Sequence, residues 1–166
     1  MDTSLLSNRF FVRQLTERDI AAIYSLCSGN PLYYEHCPPL VTRQSIADDL
    51  KALPPGKTPE DKFYLGYYDG DRLVAVLDLI WSYPDEQRVL IGFFMVEASV
   101  QKSGVGSMIV DELWAFLKAE GILGVRLSWV MGNPQAEHFW HKNGFRETGS
   151  PTKNEHATFV VAERIL

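Results

Sequence analysis

Gln101-Lys102-Ser103-Gly104-Val105-Gly106 lies between two patterned segments. Before it, Val89 to Val96 reads as an apolar strand. After it, Met108 to Lys118 reads as an amphipathic helix. A glycine turn that feeds a helix start presents backbone N–H groups at the positive end of the helix dipole. That geometry cradles phosphate or pyrophosphate. Two glycines let the main chain approach a ligand with no Cβ in the way. The stretch therefore points to a phosphorylated small molecule held by main chain rather than by a cluster of cations.

Other phosphate loops fit less well. A P-loop needs Lys and then Ser or Thr after its second glycine, and here Gly106 is followed by Ser107-Met108. A dinucleotide fingerprint needs a third small residue, where Ile109 stands, and belongs near the first strand of a βαβ unit. An ordinary strand-to-helix loop stays open on these six residues alone.

At 166 residues the chain reads as one domain, residues 1–166, with enough length for a sizeable core. Apolar residues at 46% and charged residues at 22% are a soluble balance. A net charge of −5 argues against nucleic acid as partner, since phosphate backbones need a basic face. No apolar run reaches membrane-spanning length, and Met1 to Arg9 lacks a signal-peptide core, so no membrane partner is expected. Cys27 and Cys37 show no C-x-x-C spacing and read as reduced thiols of a cytoplasmic protein.

Phe10 to Leu15 reads as a strand, and Thr16 caps a helix carrying Ile20, Ile23 and Cys27. Asn30 to Leu40, with three prolines, reads as a loop. Thr42 caps a second helix through Ile46, Leu50 and Leu53. Phe63 to Tyr68, Asp69-Gly70 and Leu73 to Trp81 form a hairpin, and Tyr83-Pro84-Asp85 turns into the Val89 strand. These three strands must be antiparallel. Val125 to Val130 follows through the glycine-loop helix and is parallel to its predecessor. Asn133-Pro134 opens a short helix that stops at Gly144, and Phe145 onward and Thr158 to Ile165 are terminal strands. The expected fold class is α/β, a mixed and largely antiparallel sheet flanked by helices.

The element order and two motifs resemble the GCN5-related N-acetyltransferases. One motif is Gln101-x-x-Gly104-x-Gly106. The other is Asn133-x-x-Ala136-x-x-Phe139-Trp140-x-x-x-Gly144-Phe145. The resemblance implies that family's fold, with a splayed parallel strand pair at its centre and helices on both faces. It implies acetyl-CoA as acyl donor and direct transfer of the acetyl group to a primary amine in a ternary complex. The backbone of Phe94, Met95 and Val96 would pair with the pantetheine arm, much as a peptide adds to a sheet edge. Gln101, Lys102, Ser103, Gly104, Val105, Gly106 and Ser107 would hold the pyrophosphate. Asn133 would hydrogen-bond the arm, with Phe139 and Trp140 packed beside it. A backbone N–H at Met95 or Val96 would stabilise the oxyanion. A homodimer is compatible with the resemblance.

Many relatives carry Tyr where Trp140 stands, and an indole N–H cannot act as an acid. A thiolate with a pKa of about 8.5 leaves without one. The general base is not specified, and Asp78, inside an apolar strand, and Glu97 are the candidates. The acceptor is an unidentified small-molecule or peptide amine; polyamines, aminoglycosides, amino acids, lysines and protein N-termini all occur in the family. Its site is expected in the loops 30–40 and 81–88, with Tyr33, Tyr34, Glu35, Trp81 and Tyr83 as walls. No metal is expected, because His138 and His141 lack a third ligand at informative spacing. Two competing readings stand beside this one: a non-catalytic acyl-CoA sensor, and, more distantly, a dinucleotide-binding oxidoreductase.

Overall fold

The computed structural model describes residues 1–154 and 157–166. Strand β1 (Phe11–Gln14) leads into helices α1 (Ile20–Ser28), α2 (Pro31–His36) and α3 (Arg43–Asp49). The strands β2 (Lys62–Asp69), β3 (Arg72–Ile80) and β4 (Arg88–Val96) follow. Then come α4 (Val105–Ala119), β5 (Gly124–Val130), α5 (Pro134–Lys142), β6 (Arg146–Glu147), β7 (Thr152–Lys153) and β8 (Thr158–Ile165).

One sheet runs in the order β1-β2-β3-β4-β5-β8-β6, with β7 against β8. Neighbours are antiparallel except β4 and β5, which are parallel. This is the mixed sheet expected from the hairpin and the later crossover. It is not the doubly wound parallel sheet of a dinucleotide-binding oxidoreductase, so that alternative is set aside.

Two apolar layers sandwich the sheet. On one face α4 buries Ile109, Val110, Leu113, Trp114, Phe116 and Leu117. Each such side chain is worth roughly 1.5–3 kcal/mol of burial. On the other face α1 and α3 supply Ile23, Leu26, Cys27 and Ile46 against Tyr64, Val76 and Met95. Short helices on this side are fixed at their starts. Thr42 and Ser45 make a capping box at α3, and Thr16 and Asp19 make one at the single 3₁₀ turn that precedes α1.

Three local readings need correction. Residues 31–36 are helical, because Pro31 occupies the first helical position, where a missing N–H costs nothing. Helix α3 ends at Asp49, so Leu53 lies beyond it. Trp81 falls outside β3 and packs edge-on between Phe63 and Phe116, at 6.2 and 6.5 Å.

Candidate active site

The site begins where β4 and β5 part. Their pairing runs from Arg88↔Gly124 to Ile91↔Leu127 and goes no further. Across the other edge of β4, Leu79 faces Ile91 but Asp78 faces Phe93, so Gly92 is an extra, bulged residue. A bulge bends its strand and resets the alternation. Ile91 therefore belongs to the α4 layer, while Phe93 packs with the α1 layer. Only glycine fits here, because a Cβ on residue 92 would lie 2.6 Å from Asp78 Oδ2.

Beyond the bulge, β4 keeps only its β3 neighbour. The Glu97 N–H donates to the Val74 carbonyl at 2.8 Å. By strand alternation the main chain of Met95 also faces β3, and that of Phe94 and Val96 faces the split. Of the two expected oxyanion donors, Met95 is thus committed to the ladder, and Val96 is the one turned to open space. The Val96 carbonyl accepts from Gln101 Nε2 at 2.8 Å, and Gln101 Nε2 also donates to Asn30 Oδ1. Asn30 Nδ2 in turn donates to the Leu26 carbonyl at 2.9 Å. Gln101 so ties the glycine loop to the end of β4 and to the corner between α1 and α2.

Gly104 sits at φ +88°, and Lys102 at φ +60°, so the loop is wound through left-handed backbone into α4. No side chain caps α4. The first-turn N–H groups, whose intrahelical partners do not exist, therefore face outward as donors. At Gly106 an added Cβ would meet Phe139 Cε2 at 3.1 Å, so that glycine lets α5 close against the helix start. Asn133 caps α5 by accepting from the Ala136 N–H at 3.1 Å. Phe139 stacks on Phe94 at 5.8 Å, and Trp140 packs on Phe94, Phe139 and Phe145.

A cleft of about 750 Å³ fills the split. It brings together Phe94, Met95, Val96, Gln101, Lys102, Gly104, Gly106, Ser107, Asn133, Phe139 and Trp140 with Tyr33. Ser103 and Val105 do not line it; Ser103 Oγ donates to the Val100 carbonyl, and the Val105 side chain is buried. Tyr34 and Glu35 lie outside it, as do Trp81 and Tyr83. The turn carrying Trp81 and Tyr83 precedes Arg88, the closed end of the β4–β5 pair, whereas the split opens toward Val96. Arg88 stands three residues, about 10 Å, before Ile91, where the cleft begins, and the turn lies beyond Arg88 on the side away from it. Asn30, the first residue of the loop expected to hold the acceptor, lines the cleft, and residues not anticipated from sequence that also line it include Gly92, Phe93, Ser128 and Phe159.

Neither carboxylate candidate lines the cleft. Glu97 Oε2 accepts from Ser99 Oγ at 2.9 Å and lies 3.5 Å from Arg72 Nη2. Asp78 is buried directly behind Gly92, and its Oδ2 accepts from Lys62 Nζ at 2.7 Å. Lys62 Nζ also donates to the Ala52 carbonyl. Asp78 Oδ1 bonds to no protein group. Burial pushes the Asp78 carboxyl up to about 6, with Lys62 opposing and Asp49 adding to the rise. His141 sets its ring edge-on to Trp129 at 5.4 Å, and among the described residues no cluster of three or more His, Cys, Asp or Glu is placed to hold a metal.

A parallel pair that splits at a bulge, beside an uncapped helix start, leaves unpaired main chain and N–H donors for a linear, phosphorylated ligand. The model of the acetyltransferase (GNAT) family matches residues 21–145, and the chain belongs to that family. By class it is an N-acetyltransferase. The fold is similar to an acetyltransferase from Thermus thermophilus, with TM-score 0.77, 20% identity, and 95% of this chain and 97% of that one covered. It is similar to Ard1 from Thermoplasma volcanium, with TM-score 0.68, 21% identity and coverage of 95% and 98%. It is also similar to the PaiA N-acetyltransferase of Thermoplasma acidophilum, solved with coenzyme A, with TM-score 0.69, 15% identity and coverage of 95% and 99%. No curated protein matches the chain at a significant level.

Proposed function

We propose that the protein transfers the acetyl group of acetyl-CoA directly to a primary amine within a ternary complex. The observation that carries this reading is the cleft at the β4–β5 split, which joins unpaired main chain at one end to an uncapped helix start at the other. The pyrophosphate would lie on the N–H groups of residues 105–107. The pantetheine amides would pair with the main chain of Phe94 and Val96, and the Val96 carbonyl would exchange its bond to Gln101 for one to the arm. The Asn133 side-chain N–H, left over from capping, would hold the cysteamine end.

The amine lone pair attacks the thioester carbonyl, the C–N bond forms, and the carbonyl oxygen gains charge beside the Val96 N–H. The C–S bond then breaks and the thiolate departs without an acid, since Trp140 has no proton to give at neutral pH. The amine proton passes through a water to Asp78, one glycine behind the cleft. We assign the base to Asp78 rather than Glu97, which is turned toward Arg72 and Ser99. A covalent route lacks a nucleophile. Cys27 is buried, burial pushes its thiol up to about 11, and neither Cys27 nor Cys37 lines the cleft.

The absence of a carboxylate among the described lining residues is the observation that favours a non-catalytic sensor instead. Release of free CoA thiol decides between them. Release should require an amine, and the protein incubated with donor alone should keep its unmodified mass. An acetyl adduct that turns over on adding amine would contradict direct transfer, and no release with any amine would favour the sensor. No helix among the described residues is long and apolar enough to cross a membrane. With both thiols free, we read the protein as cytoplasmic, and the homodimer remains part of this proposal.

A further inference from the structure

The acceptor half of the cleft has a composition that selects among amines. Its walls are Leu32 and Tyr33 of α2, Phe93 beside the bulge, and Phe159 of β8, with Ser128 of β5 as a polar group. The Tyr33 ring meets Phe93 edge-on at 5.8 Å. Burial drives the Tyr33 hydroxyl far above its ordinary range, so it stays neutral. The chain has 21 Asp and Glu residues, yet none of the described residues lining the cleft is one of them. Asp78, behind Gly92, is already paired with Lys62.

Resting on the transferase reading above, we infer that the acceptor is a primary monoamine with a compact aromatic body, of arylalkylamine type. Tyr33, Phe93 and Phe159 offer ring faces and edges to such a body. The single amino group loses its charge before attack, so nothing cationic stays behind in the cleft. A polyamine or an aminoglycoside keeps further ammonium groups after one is neutralised. Those would be desolvated against aromatic walls with no carboxylate to pair them, which is strongly unfavourable.

The test compares phenethylamine, spermidine and kanamycin as acceptors, read by thiol release from acetyl-CoA, with acetyl-CoA affinity measured separately by calorimetry. The full-length protein should show kcat/KM for phenethylamine at least tenfold above that for either polycation. Leu32, half exposed at the rim, is a place to add the missing charge. Leu32→Glu should shrink that ratio at least tenfold, by helping spermidine and hindering phenethylamine. Equal or better turnover of spermidine or kanamycin by the unmodified protein would overturn the inference. So would an unchanged ratio in Leu32→Glu, or binding of acetyl-CoA with no turnover of phenethylamine. Failure to bind acetyl-CoA at all would instead defeat the transferase reading on which the inference rests.

Discussion

Gly104→Asp is expected to weaken acetyl-CoA binding by two to three orders of magnitude, while Gly104→Asn keeps it within about tenfold. The position suits this pair. Its φ is +88°, which Asn and Asp tolerate better than other side chains, and nothing lies within 4 Å of an added Cβ. Both substitutions carry the same left-handed backbone strain, so that cost cancels in the comparison. The two side chains differ in charge and hardly at all in shape. A carboxylate at this helix start would occupy the N–H groups and face the pyrophosphate. Two like charges 4 Å apart cost about 4 kcal/mol near a protein surface. Calorimetry on the two folded variants makes the comparison. Equal affinities would show that the phosphates bind elsewhere.

Asp78→Asn is expected to lower kcat by about 10²- to 10⁴-fold with acetyl-CoA affinity unchanged. At saturating substrates the unmodified enzyme should gain rate through about pH 6, as Asp78 loses its proton, and then level off. The variant should lack that limb. Because Asn leaves the Lys62 ammonium buried without its counter-charge, Asp78→Asn with Lys62→Met is the companion variant. It removes both charges and should lose kcat equally. Stability follows the same group. The folded carboxyl, near 6, holds its proton more tightly than the unfolded one, near 3.9. Its contribution is therefore full below about pH 4 and is lost as pH rises through about 6. Melting temperature should fall across that window in the unmodified protein and not in the double variant. A double variant with normal kcat would remove Asp78 from the reaction.

What was legible in the sequence follows from what leaves a local mark. Gly104 and Gly106 mark the loop because backbone conformation and close approach demand glycine there. The β2–β3 hairpin is visible because Gly70, at φ +60°, is the residue a tight turn needs. The Asn133 cap is visible because Pro134 follows it in the first helical position. The split itself is not visible. It depends on a bulge at Gly92, and an isolated glycine in an apolar strand does not reveal whether it bulges. Strand alternation placed Asp78 on one face with Val74 and Val76. Val76 does share its layer, but a second irregularity at Tyr67/Tyr68 turns Val74 to the other. Aromatic content points to an acceptor wall in two loops. Only Tyr33 among those residues reaches the cleft, because the other loop lies at the closed end of the strand pair. Phe159 carries no sequence signal; its role arises from a chain segment far in order from the rest of the cleft.

The central claim is that acetyl-CoA lies along the open edge of β4 with its phosphates on the start of α4. Amide NMR during an acetyl-CoA titration tests it most directly. The N–H resonances of Phe94 and Val96, and those of Val105, Gly106 and Ser107, should move together and gain protection from exchange. The amides of Leu65 to Tyr68 in β2, which has strands on both sides there, should stay unchanged. Saturable binding that leaves those five amides still, and moves others such as the exposed face of α5, would contradict it.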